Sequence, residues 1–253
     1  NRGGVGGRIH TYARQVQIID NPPEKDYIVS YTKKFEPFSL PNIDSIYLPS
    51  NVYLALTPDG KTLAVGEAFT GLRHNGDTGF PTGTVRVYDY NENDGWVERA
   101  STITGLQGTE TRFSKVKISS DGNKVLVATA GGFGFVGRAA RVFVWDSATS
   151  SWSTQGSRFL PVDGVVQSPS FVSDLDMTDD AVTVALSDEA FDNIDNGVRE
   201  AIGRVQVYKY VDGDYQTKGS AFVGAVHSDA VGTSIALSRD GDRIAIVDSD
   251  DTG

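Results

Sequence analysis

The chain of 253 residues contains no cysteine and a single methionine. Without thiols it has no disulfide staple, no thiolate nucleophile and no soft metal ligand. Positive charge is also scarce. With 23 Lys and Arg against 33 Asp and Glu the formal net charge is −10 and the pI is near 4.7. A phosphate-backbone binder needs a concentrated positive field, so no nucleic-acid partner is expected. No apolar run approaches the ~20 residues that span a bilayer as a helix, so no membrane insertion is expected either. No signal peptide is visible, and the absent initiating Met and loop-like ends suggest a processed protein or a segment of a longer one. Helical periodicity is missing throughout. So are a Gly-x-Ser-x-Gly nucleophile elbow and a phosphate loop, for Gly131-Gly-Phe-Gly-Phe-Val-Gly137 lacks the Gly-Lys-Ser/Thr that would open a helix.

What the chain has is glycine (28), tyrosine (10) and phenylalanine (12) among many Val, Ile and Thr residues. That composition suits short strands joined by tight turns, and 39% apolar residues in 27.2 kDa suffice for one domain with a large core. A hairpin pattern recurs. Leu56-Thr-Pro-Asp-Gly-Lys-Thr-Leu-Ala-Val65 is matched by Ile118-Ser-Ser-Asp-Gly-Asn-Lys-Val-Leu-Val127 and Leu237-Ser-Arg-Asp-Gly-Asp-Arg-Ile-Ala-Ile246, and by Met177-Thr-Asp-Asp-Ala-Val-Thr-Val184 with the glycine lost. Their turn residues Asp59, Asp121, Asp180 and Asp240 recur at a near-constant interval of about 60 residues, as a structural repeat requires. A second pattern follows each of the first three hairpins: an alternating third strand ending in an aromatic (Tyr88, Trp145, Tyr208), then a turn and a fourth strand carrying Trp96, Trp152 or Tyr215.

Four antiparallel strands at a period of about 60 residues predict an all-β chain folded as a β-propeller of four-stranded blades. The units run over residues 51–112, 113–170, 171–230, and 231–253 together with 1–50. The last unit is split because Asp240 has no third strand after it, while Gly7-Arg-Ile-His-Thr-Tyr12 at the start has the third-strand pattern. Were the two ends joined, Tyr12 would follow Asp240 by about 25 residues, inside the range set by Asp59–Tyr88, Asp121–Trp145 and Asp180–Tyr208. The N-terminal strand is therefore expected to complete the fourth blade, the alternative being two cuts in a longer array. The span from Tyr12 to Asp59 exceeds the corresponding spans after Tyr88, Trp145 and Tyr208, so about a dozen residues are inserted between Gln17 and Ser50. With Pro22, Pro23, Tyr27, Tyr31, Phe35 and Phe38 this stretch reads either as a binding arm or, the favoured reading, as a strand plus an ordered connection.

The hairpin Thr57-Pro-Asp-Gly-Lys-Thr-Leu-Ala-Val-Gly66 resembles the inner hairpin of WD-repeat propellers. The larger unit, with its long loop and Gly-x-Val-x-Val-Tyr, is similar to the FG-GAP repeat of integrin α-subunits. That resemblance implies an extracellular or cell-surface interaction module. It also implies calcium in the inner turn, but Pro58-Asp59-Gly60, Ser120-Asp121-Gly122 and Arg239-Asp240-Gly241 each offer one carboxylate, and calcium takes six to eight oxygens. No cofactor is expected, and calcium not at those turns.

The favoured function is a non-enzymatic interaction or scaffold module whose loops, near residues 67–82, 129–139, 188–202 and 248–253, meet a protein or glycan partner. Arg73, His74, Phe133 and Phe135 are the candidate contacts. Asp188, Asp192 and Asp195, with Glu189 and Asn196, and Asp248, Asp250 and Asp251 at the end of the chain, are the two acidic groups that could hold a hard cation. Neither has calcium-loop spacing, and solvated turn acids are the favoured reading. His10, His74 and His227 fall at no metal-ligand spacing. Two alternatives stand beside the scaffold: a polysaccharide hydrolase or lyase with carboxylates converging on a central pocket, and a lectin using Trp96, Trp152 and Tyr215, for which packing between outer strands is the preferred role.

Overall fold

The computed structural model describes residues 8–9, 12–21, 24–33, 38–39, 49–69, 83–104, 113–130, 138–160, 172–191, 201–226 and 229–248. Among them are twenty strands and no helix. The first sheet comprises β5 (Pro49–Leu56), β6 (Thr62–Phe69), β7 (Thr84–Asn91) and β8 (Gly95–Glu98), with short β9 (Ile103–Thr104) also on β7. The second is β10 (Phe113–Ile118), β11 (Lys124–Ala130), β12 (Arg138–Asp146) and β13 (Ser151–Phe159). The third is β14 (Leu175–Met177), β15 (Thr183–Asp188), β16 (Arg204–Val211) and β17 (Asp214–Thr217), with β18 (Phe222–Val223) on β16. Within β5–β8, β10–β13 and β14–β17 each strand pairs antiparallel with the next in chain order. These are the expected blades.

The fourth inner hairpin is β19 (Ser234–Leu237) with β20 (Ile244–Val247), which pair only with each other among the described residues. At the other end β1 (Arg8–Ile9) pairs with β4 (Phe38–Ser39), and β2 (Tyr12–Asn21) pairs along its whole length with β3 (Glu24–Lys33). The Gln17–Ser50 stretch contains a strand, β3, while the placement of its aromatic side chains lies outside what the structure describes. The pairing of Gly7–Tyr12 with β20 is not among the described contacts.

The repeated turn is held by the same set of bonds in all four hairpins. In the first, the Thr57 hydroxyl donates to Asp59 Oδ1 at 2.6 Å and accepts from the Thr62 amide at 2.9 Å, and the same Asp59 oxygen accepts from the Lys61 amide at 3.0 Å. Ser119 with Asp121, Thr178 with Asp180 and Ser238 with Asp240 repeat the arrangement, the hydroxyl-to-carboxylate distances being 2.5, 2.7 and 2.6 Å. The residue after each Asp has a left-handed backbone, at φ 73° for Gly60, 71° for Gly122 and 72° for Gly241. Ala181 takes the same conformation at φ 55°, so the clasp survives loss of the glycine. The turn carboxylates are therefore committed to the backbone. Asp121→Ala is expected to lose about 1 kcal/mol by urea denaturation, whereas Asp121→Asn, which keeps an acceptor, should lose less.

Adjacent sheets pack face to face, β10 against β5 and β6, β14 against β10 and β19. Between the first two lie Ala64, Val85, Val87, Ile103, Val116, Val125 and Val127. Between the second and third lie Leu126, Val142, Phe159, Leu175, Val184 and Leu186, and between the third and fourth Ala185, Val205, Val207 and Ile235. The alternation of each strand supplies one face to each neighbour, as period two requires.

Cross-strand register corrects one equivalence. Tyr90, Trp145 and Tyr210 are the residues opposite the fourth-strand aromatics Trp96, Trp152 and Tyr215. Tyr88 and Tyr208 therefore correspond to Phe143, opposite Val125, rather than to Trp145. A shift of two leaves a side chain on the same face of the strand, so the alternation alone cannot detect it.

Candidate functional site

Two of the places that bring charged side chains together are candidates, one at a blade junction and one within the third blade. The first follows the innermost strands. The Lys115 ammonium contacts Asp174 Oδ1 at 2.9 Å, and Lys117 contacts Asp176 Oδ1 at 3.1 Å, both pairs running from the second blade to the third. The other oxygens turn to the fourth blade. Asp174 Oδ2 accepts from the Ser234 hydroxyl at 3.0 Å and the Ile235 amide at 2.9 Å, and Asp176 Oδ2 accepts from the Leu237 amide at 2.7 Å. These amides belong to the free edge of β19, so the carboxylates satisfy donors that an edge strand would otherwise leave open.

Partial burial raises the Asp174 pKa, but the Lys115 hydrogen bond and the Ile235 amide outweigh it, and the net result is below the ordinary carboxylate value. A depressed folded-state pKa gives stability that is present above the unfolded value, near 4, and is lost as pH falls through the folded one. Asp89, Asp121 and Asp180 are shifted in the same direction. The chain is expected to lose stability progressively below about pH 4. Asp174→Asn should lower stability at pH 7 by about 1–3 kcal/mol and flatten that acid slope, read from urea midpoints at pH 3 to 7.

The second place is a recess of about 30 Å³ at the loop end of the third blade, lined by Leu186, Ser187, Asp188, Phe191, Arg204, Gln206 and Tyr208. Asp188, 8% exposed, ends β15 directly opposite Arg204 at the start of β16. The Arg204 guanidinium lies 5.4 Å from the centre of the Phe191 ring, and its Nε is buried without a hydrogen-bond partner among the described residues. Gln206 donates to the Val207 carbonyl at 2.9 Å. Burial raises the Tyr208 hydroxyl above its ordinary pKa, so it remains a neutral donor. The recess has room for no more than a water-sized group, and its lining includes a cation, a carboxylate and an aromatic ring.

Of the residues singled out from sequence, Arg73, His74, Phe133, Phe135, Asp192, Asp195 and Asp250 lie outside the described residues, as do His10 and His227. Asp188 lines the recess, and Asp248 is exposed just beyond β20. Among the described residues no three His, Asp or Glu side chains gather as a metal site.

Trp152 and Tyr215 pack between blades. Trp152 lies against the cluster around Val125, and Tyr215 against Phe159 at 5.0 Å. Trp96 packs on Leu63, Val65 and Tyr88 and meets Tyr90 edge-on at 5.4 Å. Three residues beyond each of these aromatics, a polar side chain reaches the left-handed turn residue of the next blade. Arg99 donates to the Gly122 carbonyl at 2.9 Å and Lys218 to the Gly241 carbonyl at 2.8 Å. Gln155 does so through a relay, donating to the Tyr215 hydroxyl at 3.0 Å, which donates to the Ala181 carbonyl at 2.6 Å. Asp174, Asp176 and these three latch residues were missed from sequence. The available signal was the complementary pair of Lys-x-Lys in β10 and Asp-x-Asp at β14, one repeat apart.

No protein-family model matches the sequence, and no curated protein sequence matches it. Solved structures do. A periplasmic gluconolactonase of Pseudomonas aeruginosa, PpgL, superposes with a TM-score of 0.54 at 16% identity, covering 93% of this chain and 61% of that one. This chain thus spans about three fifths of that protein's length. Sqt1 of Saccharomyces cerevisiae gives a TM-score of 0.46 at 14% identity over 79% of this chain and 43% of that one, and the Dos1 propeller 0.46 at 10% over 93% and 52%. At such identities the likeness bears on fold alone. With successive four-stranded antiparallel sheets packed face to face and no helix among its described residues, this chain is a β-propeller.

Proposed function

We propose that the chain is a non-enzymatic interaction or scaffold module in an extracellular or cell-surface setting, meeting a protein or glycan partner through its inter-strand loops. The observation that carries this reading is where the recurring chemistry goes. The turn Asp residues, Asp174, Asp176, Arg99 and Lys218 are all occupied in holding blades together. What differs from blade to blade is the length and composition of the loops, and variable loops on a rigid frame are a binding arrangement. The FG-GAP-like form of the repeat supports the extracellular setting. The reading assigns contacts to Arg73, His74, Phe133 and Phe135, with no resident cofactor.

The second reading is a hydrolase or lyase, for which Asp174 and Asp176 on the innermost strand are the available carboxylates. It is disfavoured because both oxygens of each carboxylate are already engaged. The test is retention of labelled glycans and secreted proteins from the native source on immobilised chain. Replacing residues 131–137 by a Gly-Ser segment of equal length should abolish retention at unchanged Tm. Unchanged retention would remove that loop. Turnover of a polysaccharide or lactone that Asp174→Asn abolishes would replace the scaffold by an enzyme.

A further inference from the structure

One charged side chain of the third blade answers no need of the repeat. Four residues before Tyr88, Phe143 or Tyr208 the first two blades have Thr84 and Ala139, whereas the third has Arg204. Two residues before the same aromatics the order reverses, with Arg86 and Arg141 in the first two blades and Gln206 in the third. Positions two apart share a face, so the third blade carries its guanidinium on the same side but one step nearer the loop. The other blades satisfy these places internally. Arg86 Nε lies 3.4 Å from Glu98 on the fourth strand, and the Thr129 hydroxyl closes on the Ala139 amide and carbonyl, both at 3.0 Å. Arg204 has no such arrangement: its Nε is buried, and among the described residues its N–H groups meet no acceptor, only the Phe191 ring.

The recess beside Arg204 is already built. Phe191 is fixed through its backbone, its amide donating to the Asp188 carbonyl and its own carbonyl accepting from the Gly203 amide, both at 3.2 Å. The Tyr208 ring is held against Phe159 at 4.8 Å. Its hydroxyl has no hydrogen-bond partner among the described residues; burial raises its pKa, and the nearby Arg204 charge offsets part of that rise. The Gln206 amide nitrogen donates to the Val207 and Gly219 carbonyls at 2.9 and 3.3 Å, which leaves its Oε1 to accept.

The lining thus mixes donors, Arg204 and Tyr208, with acceptors, Gln206 Oε1 and the Asp188 carboxylate, around a space of about 30 Å³. That is room for one oxygen atom. A carboxylate oxygen would accept from Arg204 but would meet the charge of Asp188, which pairs across the sheet with Arg204. An ammonium would meet the charge of Arg204. A hydroxyl accepts and donates at a single atom and suits both sides. We propose that the recess is a glycan subsite that takes one hydroxyl of a neutral pyranose, with Arg204 and Tyr208 donating to it and Gln206 or Asp188 accepting from it. A pyranose carries a second hydroxyl on the adjacent carbon, within reach of the planar guanidinium fork, and its C–H groups meet the Phe191 ring. A serine or threonine hydroxyl brings no such neighbour. The subsite rests on the interaction reading given above and narrows its partner to a glycan.

The test is a titration of the protein with methyl β-D-glucopyranoside, methyl β-D-galactopyranoside and methyl α-D-mannopyranoside, followed by ligand-observed NMR. At least one should bind with a Kd of about 1–10 mM, as befits a single small subsite. Tyr208→Phe and Arg204→Thr should each weaken that binding about tenfold at unchanged Tm. Both substitutions copy residues that other blades carry at the same places, Phe143 and Thr84. If Arg204→Thr fails to fold, Tyr208→Phe alone decides. The subsite is overturned if none of the three glycosides binds at about 50 mM, or if Tyr208→Phe leaves binding unchanged. Tighter binding of D-galacturonate would overturn it in favour of an anion site, and tighter binding of N-acetylserinamide in favour of a protein hydroxyl. The interaction reading is separable from all of these outcomes, because it stands or falls on retention by the immobilised chain and on turnover, which the glycoside titration does not measure.

Discussion

Arg99→Ala is expected to lower stability by about 3 kcal/mol and Tm by roughly 5–10 °C, the largest effect of any single charged residue. Its guanidinium grips Asp89 with two parallel bonds, Nε to Oδ2 at 2.7 Å and Nη2 to Oδ1 at 2.9 Å. A third bond goes to the Gly122 carbonyl of the next blade, and the ring centres of Trp145 and Trp152 lie 5.3 and 5.7 Å away. The side chain is 10% exposed, while that of Asp89 is 49% exposed, so the loss falls near the lower end of the range for a broken buried pair. Arg99→Lys keeps the charge without the planar fork and should recover less than half of it. A melting temperature for Arg99→Ala within about 2 °C of the parent would mean that the latch contributes no stability and that the blades are held by apolar packing alone.

Gly203→Ala should cost about 4 kcal/mol, combining left-handed strain with overpacking. Gly203 opens the third strand of its blade at φ 76°, and a Cβ there would lie on the backbone nitrogen and oxygen of Val231, to which Gly203 is bridged. Neither contact has a flexible end that could move aside. The outcome to measure is the urea midpoint, with Gly213→Ala as the comparison, since Gly213 also has positive φ, at 90°, but nothing within 4 Å of its Cβ position. Equal losses for the two would attribute the whole effect to backbone strain and none to the close approach.

Much of the fold was legible because its determinants are local. The Ser/Thr-x-Asp-Gly turn is specified within six residues, and its spacing by itself gave the number of hairpins and their period. The preference for packing over sugar binding at Trp152 and Tyr215 was legible as well, since an aromatic at the same place in every repeat answers a need of the repeat. What escaped depends on two blades at once. Asp174 binds partners 59 residues before it and 61 after it, and nothing in its own neighbourhood announces either. The recess around Arg204 was missed for a related reason. Its acid, Asp188, reads from sequence as a solvated turn acid or, as the lesser alternative, a cation ligand, whereas it is 8% exposed and lies across the sheet from an arginine on the following strand, which neither reading includes.

The four turn clasps also bear on how the chain reaches its native state. Each closes a span of six residues with side chain and backbone together, so each hairpin can form on the microsecond scale without waiting for any other part of the chain. The contacts between neighbouring blades span about 60 residues and follow from hairpins already present. Substitutions in a clasp should therefore slow refolding as well as weaken the native state, whereas loss of Arg99 should chiefly accelerate unfolding.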